Sequence, residues 1–138
     1  RLLTLVDEDA AVFNSFMSCY KLPKDTDEEK AARTAAIRAA AKQAATVPLN
    51  IARSSFAVLK LADRLVVSGN PGVITDGACS GLLARVALRC AEYNVRINMG
   101  LTKDEEWNAQ AAAELKQLLA EAETLENRLL AVTDKALQ

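Results

Sequence analysis

Residues 107–132 read WNAQAAAELKQLLAEAETLENRLLAV. Apolar side chains recur in this segment every three or four residues, which is the spacing of one face of an α-helix. That face consists of Trp107, Ala111, Leu115, Leu118, Ala122, Leu125, Leu129 and Val132. Glutamate, glutamine and lysine fill most of the positions between them. The segment therefore predicts one long amphipathic helix that packs its apolar face against the rest of the protein.

Four earlier segments also show helical patterns, at residues 1–20, 27–45, 48–68 and 75–93. We expect Pro48 to end the second helix and open the third, because proline lacks the N–H that a helix interior requires. No segment alternates apolar and polar residues as a half-buried strand does. The sequence thus predicts an all-α fold, a single-domain multihelical array of about five helices over residues 1–138.

Local signals mark several helix ends. The sequences TDEE at 26–29 and TKDE at 102–105 are typical of capping boxes, in which a threonine oxygen and a glutamate satisfy free backbone donors. A short break is expected near Met99-Gly100, before the last helix. Gly69 is suited to a left-handed position at the end of the third helix.

Bulk composition excludes several classes of function. Lysine plus arginine number 17 against 18 acidic residues, so the chain lacks the basic surface of a nucleic-acid-binding protein. There are three scattered cysteines and no histidine, which makes a disulfide framework or a zinc site unexpected. No apolar run is long enough to cross a bilayer, and the cytoplasm is the predicted location. The chain begins with Arg1 in an already helical pattern, so we expect an N-terminal piece to be missing.

A carboxylate, Asp76, stands among very small residues in NPGVITDGACSG, residues 70–81. Near a helix N-terminus it could simply cap the helix, where the dipole favours it by about 0.3–1 kcal/mol. Alternatively it is a catalytic carboxylate in a cleft. Gly77 and Gly81 each cost about 1 kcal/mol in a helix relative to alanine. They therefore predict close packing, against either another helix or a ligand.

A second carboxylate, Asp9, falls on the apolar stripe of the first helix. This stripe consists of Leu2, Val6, Asp9, Phe13, Phe16 and Tyr20. A carboxylate on such a face must be hydrogen-bonded, paired or neutralised. Asp9 is therefore either a partly exposed or ion-paired edge residue, or a buried acid with a perturbed pKa.

Polar side chains also cluster in YNVRINMG, residues 93–100. Asn94 and Asn98 are four residues apart and would share a helical face, with Arg96 directed elsewhere, unless the segment is a loop that all three line. Amides and a guanidinium can recognise a heterocycle edge or a carboxylate, although asparagine also favours helix ends. Lys21, beside a turn, is either solvated or placed to meet an anionic tail.

Five segments together resemble the formiminotransferase-cyclodeaminase C-terminal domain family. They are DEDAAVFN, YKLPKDTDEEKAAR, ATVPL, GNPGVITDGA and NVRIN…KDEEW, in this order and spacing. The resemblance covers nearly the whole chain, from about Val6 to the last helix. It implies a multihelical fold that dimerises, a folate bound in a cleft, and no metal or covalent cofactor. The family normally begins with helices around a PTPGGGS-like stretch, which this chain lacks.

The implied activity is one-carbon folate chemistry, with a tetrahydrofolate derivative as substrate. Either 5,10-methenyltetrahydrofolate is hydrolysed to 10-formyltetrahydrofolate, or 5-formiminotetrahydrofolate cyclises with release of ammonia. On this interpretation Asp76 and Asp9 are the catalytic carboxylates, Asn94, Arg96 and Asn98 orient the substrate, and Lys21 meets the glutamate tail. The alternative is a non-catalytic helical interaction module or an inactive fragment of the family.

The predicted site residues lie far apart along the chain. If residues 76–98 form one straight helix, its ends are about 33 Å apart at a rise of about 1.5 Å per residue. One folate could not then reach both ends within one chain, so either the helix is broken or its opposite ends meet across a symmetric dimer. Of these two we expect the two-fold homodimer, in which the beginning of this helix approaches the end of its copy.

Overall fold

The computed structural model describes residues 1–138 and contains only helices. The α-helices are α1 (Leu2–Cys19), α2 (Asp27–Ser68), α3 (Ile74–Thr102) and α4 (Glu105–Ala136), with a 3-10 turn at Pro71–Val73. The predicted all-α fold is confirmed, with four long helices in place of five. None of the helices is both long enough and apolar enough to pass through a membrane.

The prediction that Pro48 separates two helices is wrong, because α2 runs through it without a break. Proline cannot donate to the carbonyl four residues earlier, which here belongs to Ala44. The side-chain amide of Asn98 on α3 donates to that oxygen instead, at 3.0 Å. Pro48 is itself buried in the structure. The helix therefore continues because a neighbouring helix supplies the donor that proline lacks.

The predicted start of the last helix is also wrong. No break occurs at Met99-Gly100, since α3 continues to Thr102 and Lys103 then turns the chain with a φ of 54°. The N-cap of α4 is Asp104, whose carboxylate accepts from the backbone N–H of Trp107 at 3.0 Å. At the start of α2, by contrast, the capping box at residues 26–29 forms as predicted.

Gly69 follows α2 but does not adopt the expected left-handed conformation, since its φ is −89°. Steric crowding explains the glycine at this position instead. A Cβ atom at this position would stand 2.2 Å from the carbonyl oxygen of Leu65. Only glycine lets the backbone approach that carbonyl closely enough for the N–H of residue 69 to donate to it, at 2.8 Å.

The core lies where α2, α3 and α4 meet. The predicted α4 face is buried or half-buried at every position, and so are the six α2 positions Leu49, Ala52, Phe56, Leu59, Ala62 and Val66. Two glycines let α3 approach its neighbours. A Cβ atom at Gly77 would be 2.8 Å from Cγ2 of Val66, and one at Gly81 would be 2.4 Å from Cδ1 of Leu129. Helix packing therefore accounts for both glycines.

The inward face of α1 is shifted by one position from the predicted stripe. It includes Leu5, Val12, Phe16 and Cys19. Val6 and Phe13, which were expected in the core, are 64% and 59% exposed. Because α1 packs mainly on α2, only a narrow strip of its surface is covered. Asp9 consequently lies at the edge of the buried strip and is exposed.

Candidate functional site

A cleft lies where α1, α2 and α3 meet, and it contains three of the predicted site residues. Asp9 comes from α1, and Asn94 and Asn98 come from α3. The wall on the α2 side is Pro48. Two adjoining cavities of about 130 and 240 Å³ share Asp9, Pro48 and Asn94. Because α3 is helical here, the two asparagines stand one turn apart on the same face, as their spacing predicts.

Both asparagine amides are oriented by backbone carbonyls. The Nδ2 atom of Asn94 donates to the carbonyl of Cys90 at 3.0 Å. The Nδ2 atom of Asn98 donates to the carbonyls of Asn94 and Ala44, at 2.9 and 3.0 Å. Both N–H groups of Asn98 and one of Asn94 are thus engaged, and neither amide oxygen has a protein donor. The Asp9 carboxylate also lacks an ion-pair or hydrogen-bond partner. The cleft therefore offers hydrogen-bond acceptors to a ligand that carries N–H groups.

Aromatic side chains border these acceptors. Phe13 is exposed beside the cleft, and Phe16 is half-buried and packs edge-on against Tyr20, with ring centroids 5.3 Å apart. An exposed ring next to a polar edge is suited to cover a flat heterocycle, which combines apolar faces with polar edges. The cleft thus joins an acceptor edge to an aromatic surface.

Asp76 is not part of this cleft. It lies in the first turn of α3, is exposed, and lines none of the cavities of the chain. Its carboxylate makes no capping hydrogen bond, so only the helix dipole favours it there. Because α3 is continuous from residue 76 to residue 98, the two positions are about 33 Å apart. Within one chain Asp76 and Asn98 cannot contact the same small molecule.

Two other predicted site residues also lie elsewhere. Arg96 is directed away from the two asparagines, as expected, and its Nη1 atom donates to Glu92 at 3.3 Å in a groove between α3 and α4. Lys21 is exposed in the turn after α1 and forms no ion pair. The structure therefore brings together Asp9, Asn94 and Asn98, and leaves Asp76, Arg96 and Lys21 at separate places.

Sequence reasoning missed two features of the cleft. Pro48 was assigned to a helix boundary, although it forms a cleft wall and leaves free the carbonyl that orients Asn98. Phe13 belongs to the predicted apolar stripe of α1, yet it is exposed beside the cleft. The proline did carry a signal, since a proline inside a continuous helical pattern implies an outside donor for the carbonyl four residues earlier. The identity of that donor depends on tertiary packing.

Comparison with known proteins identifies the family to which this chain belongs. The family model for formiminotransferase-cyclodeaminase matches residues 1–117 of the chain. The chain belongs to the formiminotransferase-cyclodeaminase family. Its fold agrees with a crystal structure of formiminotetrahydrofolate cyclodeaminase from Thermotoga maritima, with a TM-score of 0.83. That likeness covers 98% of this chain and 63% of the other at 22% identity.

Two curated relatives of this family member carry named activities. The chain is 41% identical over 130 residues to a methenyltetrahydrofolate cyclohydrolase from Methylorubrum extorquens, covering 94% of this chain and 62% of that protein. It is 33% identical over 124 residues to the formimidoyltransferase-cyclodeaminase of Sus scrofa, covering 90% of this chain and 23% of that protein. The chain thus spans less than two thirds of the length of these relatives.

Proposed function

We propose that this protein is a folate one-carbon enzyme. It hydrolyses 5,10-methenyltetrahydrofolate to 10-formyltetrahydrofolate, or cyclises 5-formiminotetrahydrofolate with release of ammonia. The names of its relatives support this substrate class. The observation that carries the proposal within this chain is the cleft formed by Asp9, Asn94 and Asn98 beside Phe13. The proposal assigns no metal and no covalent cofactor, and the cytoplasmic location stays a prediction.

The chemistry of the cleft suits a reduced pterin ring. Such a ring carries amino and ring N–H donors along one edge, and the cleft presents the Asp9 carboxylate and two amide oxygens without protein donors. The Phe13 ring can cover the apolar face of the pterin. A carboxylate beside the guanidine-like edge would also favour the accumulation of positive charge on the bound ring system.

Both candidate reactions pass through a cationic, amidine-like carbon between N5 and N10. In the cyclohydrolase reaction, water attacks this carbon and loses a proton, and the tetrahedral intermediate then opens to the formyl product. In the cyclodeaminase reaction, N10 attacks the formimino carbon and ammonia leaves after gaining a proton. The chain has no histidine, so a carboxylate is the natural group to stabilise the cation and move these protons.

We further propose that Asp76 reaches this cleft from a second copy of the chain. Several large apolar side chains on α3 are exposed, and they recur at helical spacing as Leu83, Val86, Tyr93 and Ile97. Residue 87 is midway between residues 76 and 98. An antiparallel crossing of two α3 helices about that residue would therefore set Asp76 of one copy beside Asn98 of the other. In the same arrangement Lys21 remains available to the anionic glutamate tail, whereas Arg96 faces away from the cleft.

The proposal is tested by following the absorbance loss of methenyltetrahydrofolate with wild type, Asp76→Asn and Asp9→Asn. We expect Asp76→Asn to lower kcat by about 100-fold or more, because it removes the proton-transferring group. Asp134→Asn is the matched control, since that aspartate is exposed near the end of α4 and outside the cleft. Unchanged helicity by circular dichroism must accompany the loss. Wild-type turnover retained in Asp76→Asn would remove the catalytic role.

The exposed apolar face of α3 also favours the second candidate, a non-catalytic helical interaction module. The two candidates differ in a direct way. A module would form dimers or partner complexes while turning over neither methenyltetrahydrofolate nor formiminotetrahydrofolate. Turnover of either substrate by purified wild-type protein, abolished in Asp76→Asn, excludes it.

A further inference from the structure

A second concave surface lies between α3 and α4. Its volume is about 500 Å³, and its lining residues are Glu92, Arg96, Met99, Ala112, Leu115, Lys116 and Leu119. The α3 residues are spaced by four and three, and the α4 residues by three, one and three, so each set occupies one helical face. Asn94 and Asn98 are roughly 200° around the helix from Arg96. This groove therefore shares no residue with the Asp9 cleft.

A buried carboxylate forms one side of the groove, and its charge is compensated. The side chain of Glu92 is only 9% exposed. One of its oxygens accepts from Nη1 of Arg89 at 2.7 Å, and the other accepts from Nη1 of Arg96 at 3.3 Å. Two guanidinium groups thus surround one carboxylate, and its charge is not available to repel an anion that enters the groove.

Positive charge remains at the rim after this pairing. The Arg96 side chain is 66% exposed and uses a single, long contact to Glu92, so most of its N–H groups are free. Lys116 forms neither an ion pair nor a hydrogen bond. The hydrogen bond and charge of Glu92, with smaller contributions from Tyr93 and Glu123, raise the pKa of Arg89. The lining therefore holds two cations, Arg96 and Lys116, and one carboxylate, Glu92, which is already paired.

The opposite walls are apolar. Leu115 is buried, Met99 and Leu119 are half-buried, and Ala112 is exposed at the mouth. An apolar surface beside unpaired cations is complementary to a molecule with an apolar body and one negative group. A neutral apolar ligand would leave the free N–H groups of Arg96 and Lys116 unused.

We propose that this groove is a binding site for amphipathic organic anions. The apolar body of the ligand packs on Met99, Leu115 and Leu119, and its carboxylate or sulfonate lies between Arg96 and Lys116. Aliphatic and aromatic acids share this chemistry, and a single carboxylate is enough to test it. The inference does not depend on the proposed folate activity, because it rests on a different pair of helices.

The two methionines of the chain allow a direct test. Met99 lines the groove, whereas Met17 lies on α1, so labelling with [methyl-¹³C]methionine gives one reporter and one internal control. The full chain is titrated with octanoate, with 2-naphthoate and with octanamide, which matches octanoate in shape but lacks the charge. We expect a saturable shift of the Met99 signal alone, with octanoate binding about tenfold more tightly than octanamide. Which acid binds more tightly distinguishes aliphatic from aromatic ligands.

Variants locate the effect in the groove. Ala112→Phe fills the mouth and should abolish the Met99 shift. Ala113→Phe should not, because that exposed position is about 100° around the helix and outside the groove. Lys116→Gln should weaken octanoate several-fold and leave octanamide unchanged, and Lys24→Gln should alter neither. Equal binding of octanoate and octanamide, no shift with either acid, or a Met99 shift that survives Ala112→Phe would overturn the proposal.

Discussion

The two ends of α3 are both rich in small or polar residues, yet they serve different purposes. At the first, N-terminal end, Gly77 and Gly81 let side chains of α2 and α4 pack directly against the backbone of α3. A Cβ atom at either position would collide with those side chains. At the second end, Asn94 and Asn98 use their N–H groups on backbone carbonyls and leave their oxygens free in a cleft. Apolar contact defines the first end, and a polar cleft defines the second. Close helix packing therefore explains the small residues of the first end without a ligand.

The largest effect on stability is expected where the first end packs most closely. Gly81→Val would place branched carbon atoms against the fully buried Leu129 and should lower the free energy of unfolding by about 3 kcal/mol. Gly100→Ala is the matched change on the same helix, because no atom lies within 4 Å of the added Cβ. It should stabilise by up to about 1 kcal/mol through helix propensity. Urea denaturation measures the free energy of unfolding of both variants. Similar free energies for the two would contradict the explanation by close packing.

A smaller effect is expected where the second end meets α2. Asn98→Ala removes the side-chain donor to the Ala44 carbonyl and should cost about 1–3 kcal/mol. In a Pro48→Ala background the new backbone N–H can donate to that carbonyl, so Asn98→Ala should cost about 1 kcal/mol less. The measurement is a double-mutant cycle in urea. Strict additivity of the two substitutions would show that Asn98 does not replace the donor that proline lacks.

The smallest expected effect is on the pH dependence of stability, and it arises in the turn that follows the second, C-terminal end of α3. Lys42 donates to Asp104 at 2.7 Å, and this contact, with the backbone N–H of Trp107, holds the pKa of Asp104 below its usual 3.8. Because the folded pKa is the lower one, the contribution is complete above the usual value and is lost as the pH falls through the folded pKa.

Asp104→Asn removes the charge while keeping a residue that caps helices well. We expect the wild type to exceed this variant in stability at about pH 6, and by a smaller margin at about pH 2, below the usual pKa of 3.8. Urea midpoints at the two pH values measure it. A difference of the same size at both pH values would mean that the charge of Asp104 is not its source.

More of the fold than of the candidate site could be predicted from the sequence. The apolar faces of α2 and α4 follow from periodicity, and the structure buries or half-buries each predicted residue on them. The continuity of α2 at Pro48 could not be predicted, because it depends on the contact that Asn98 makes with Ala44 across the structure. The start of α4 was predicted two residues early, because Thr102 and Asp104 are both suitable N-caps and the one that forms is Asp104, which accepts from the N–H of Trp107. The face of α1 was misassigned by one position, since only packing on α2 decides which side is covered.

The cleft itself was only partly predictable. The spacing of Asn94 and Asn98 correctly indicated one shared face, and Asp9 was noticed because a carboxylate interrupted an apolar stripe. That these three meet beside Pro48 depends on where α1 packs along α2, which sequence periodicity does not encode. Whether Asp76 joins them depends on a second chain.

The most direct test of the account is complementation between two inactive variants. If each site combines Asp76 of one copy with Asp9 of the other, a heterodimer of Asp76→Asn and Asp9→Asn contains one intact site and one doubly altered site. Random mixing makes about half of the dimers mixed, each with one working site of two, so about a quarter of the wild-type turnover of methenyltetrahydrofolate should return. Mixed dimers that form, as shown by differently tagged subunits, but remain as inactive as either variant alone would contradict the shared site.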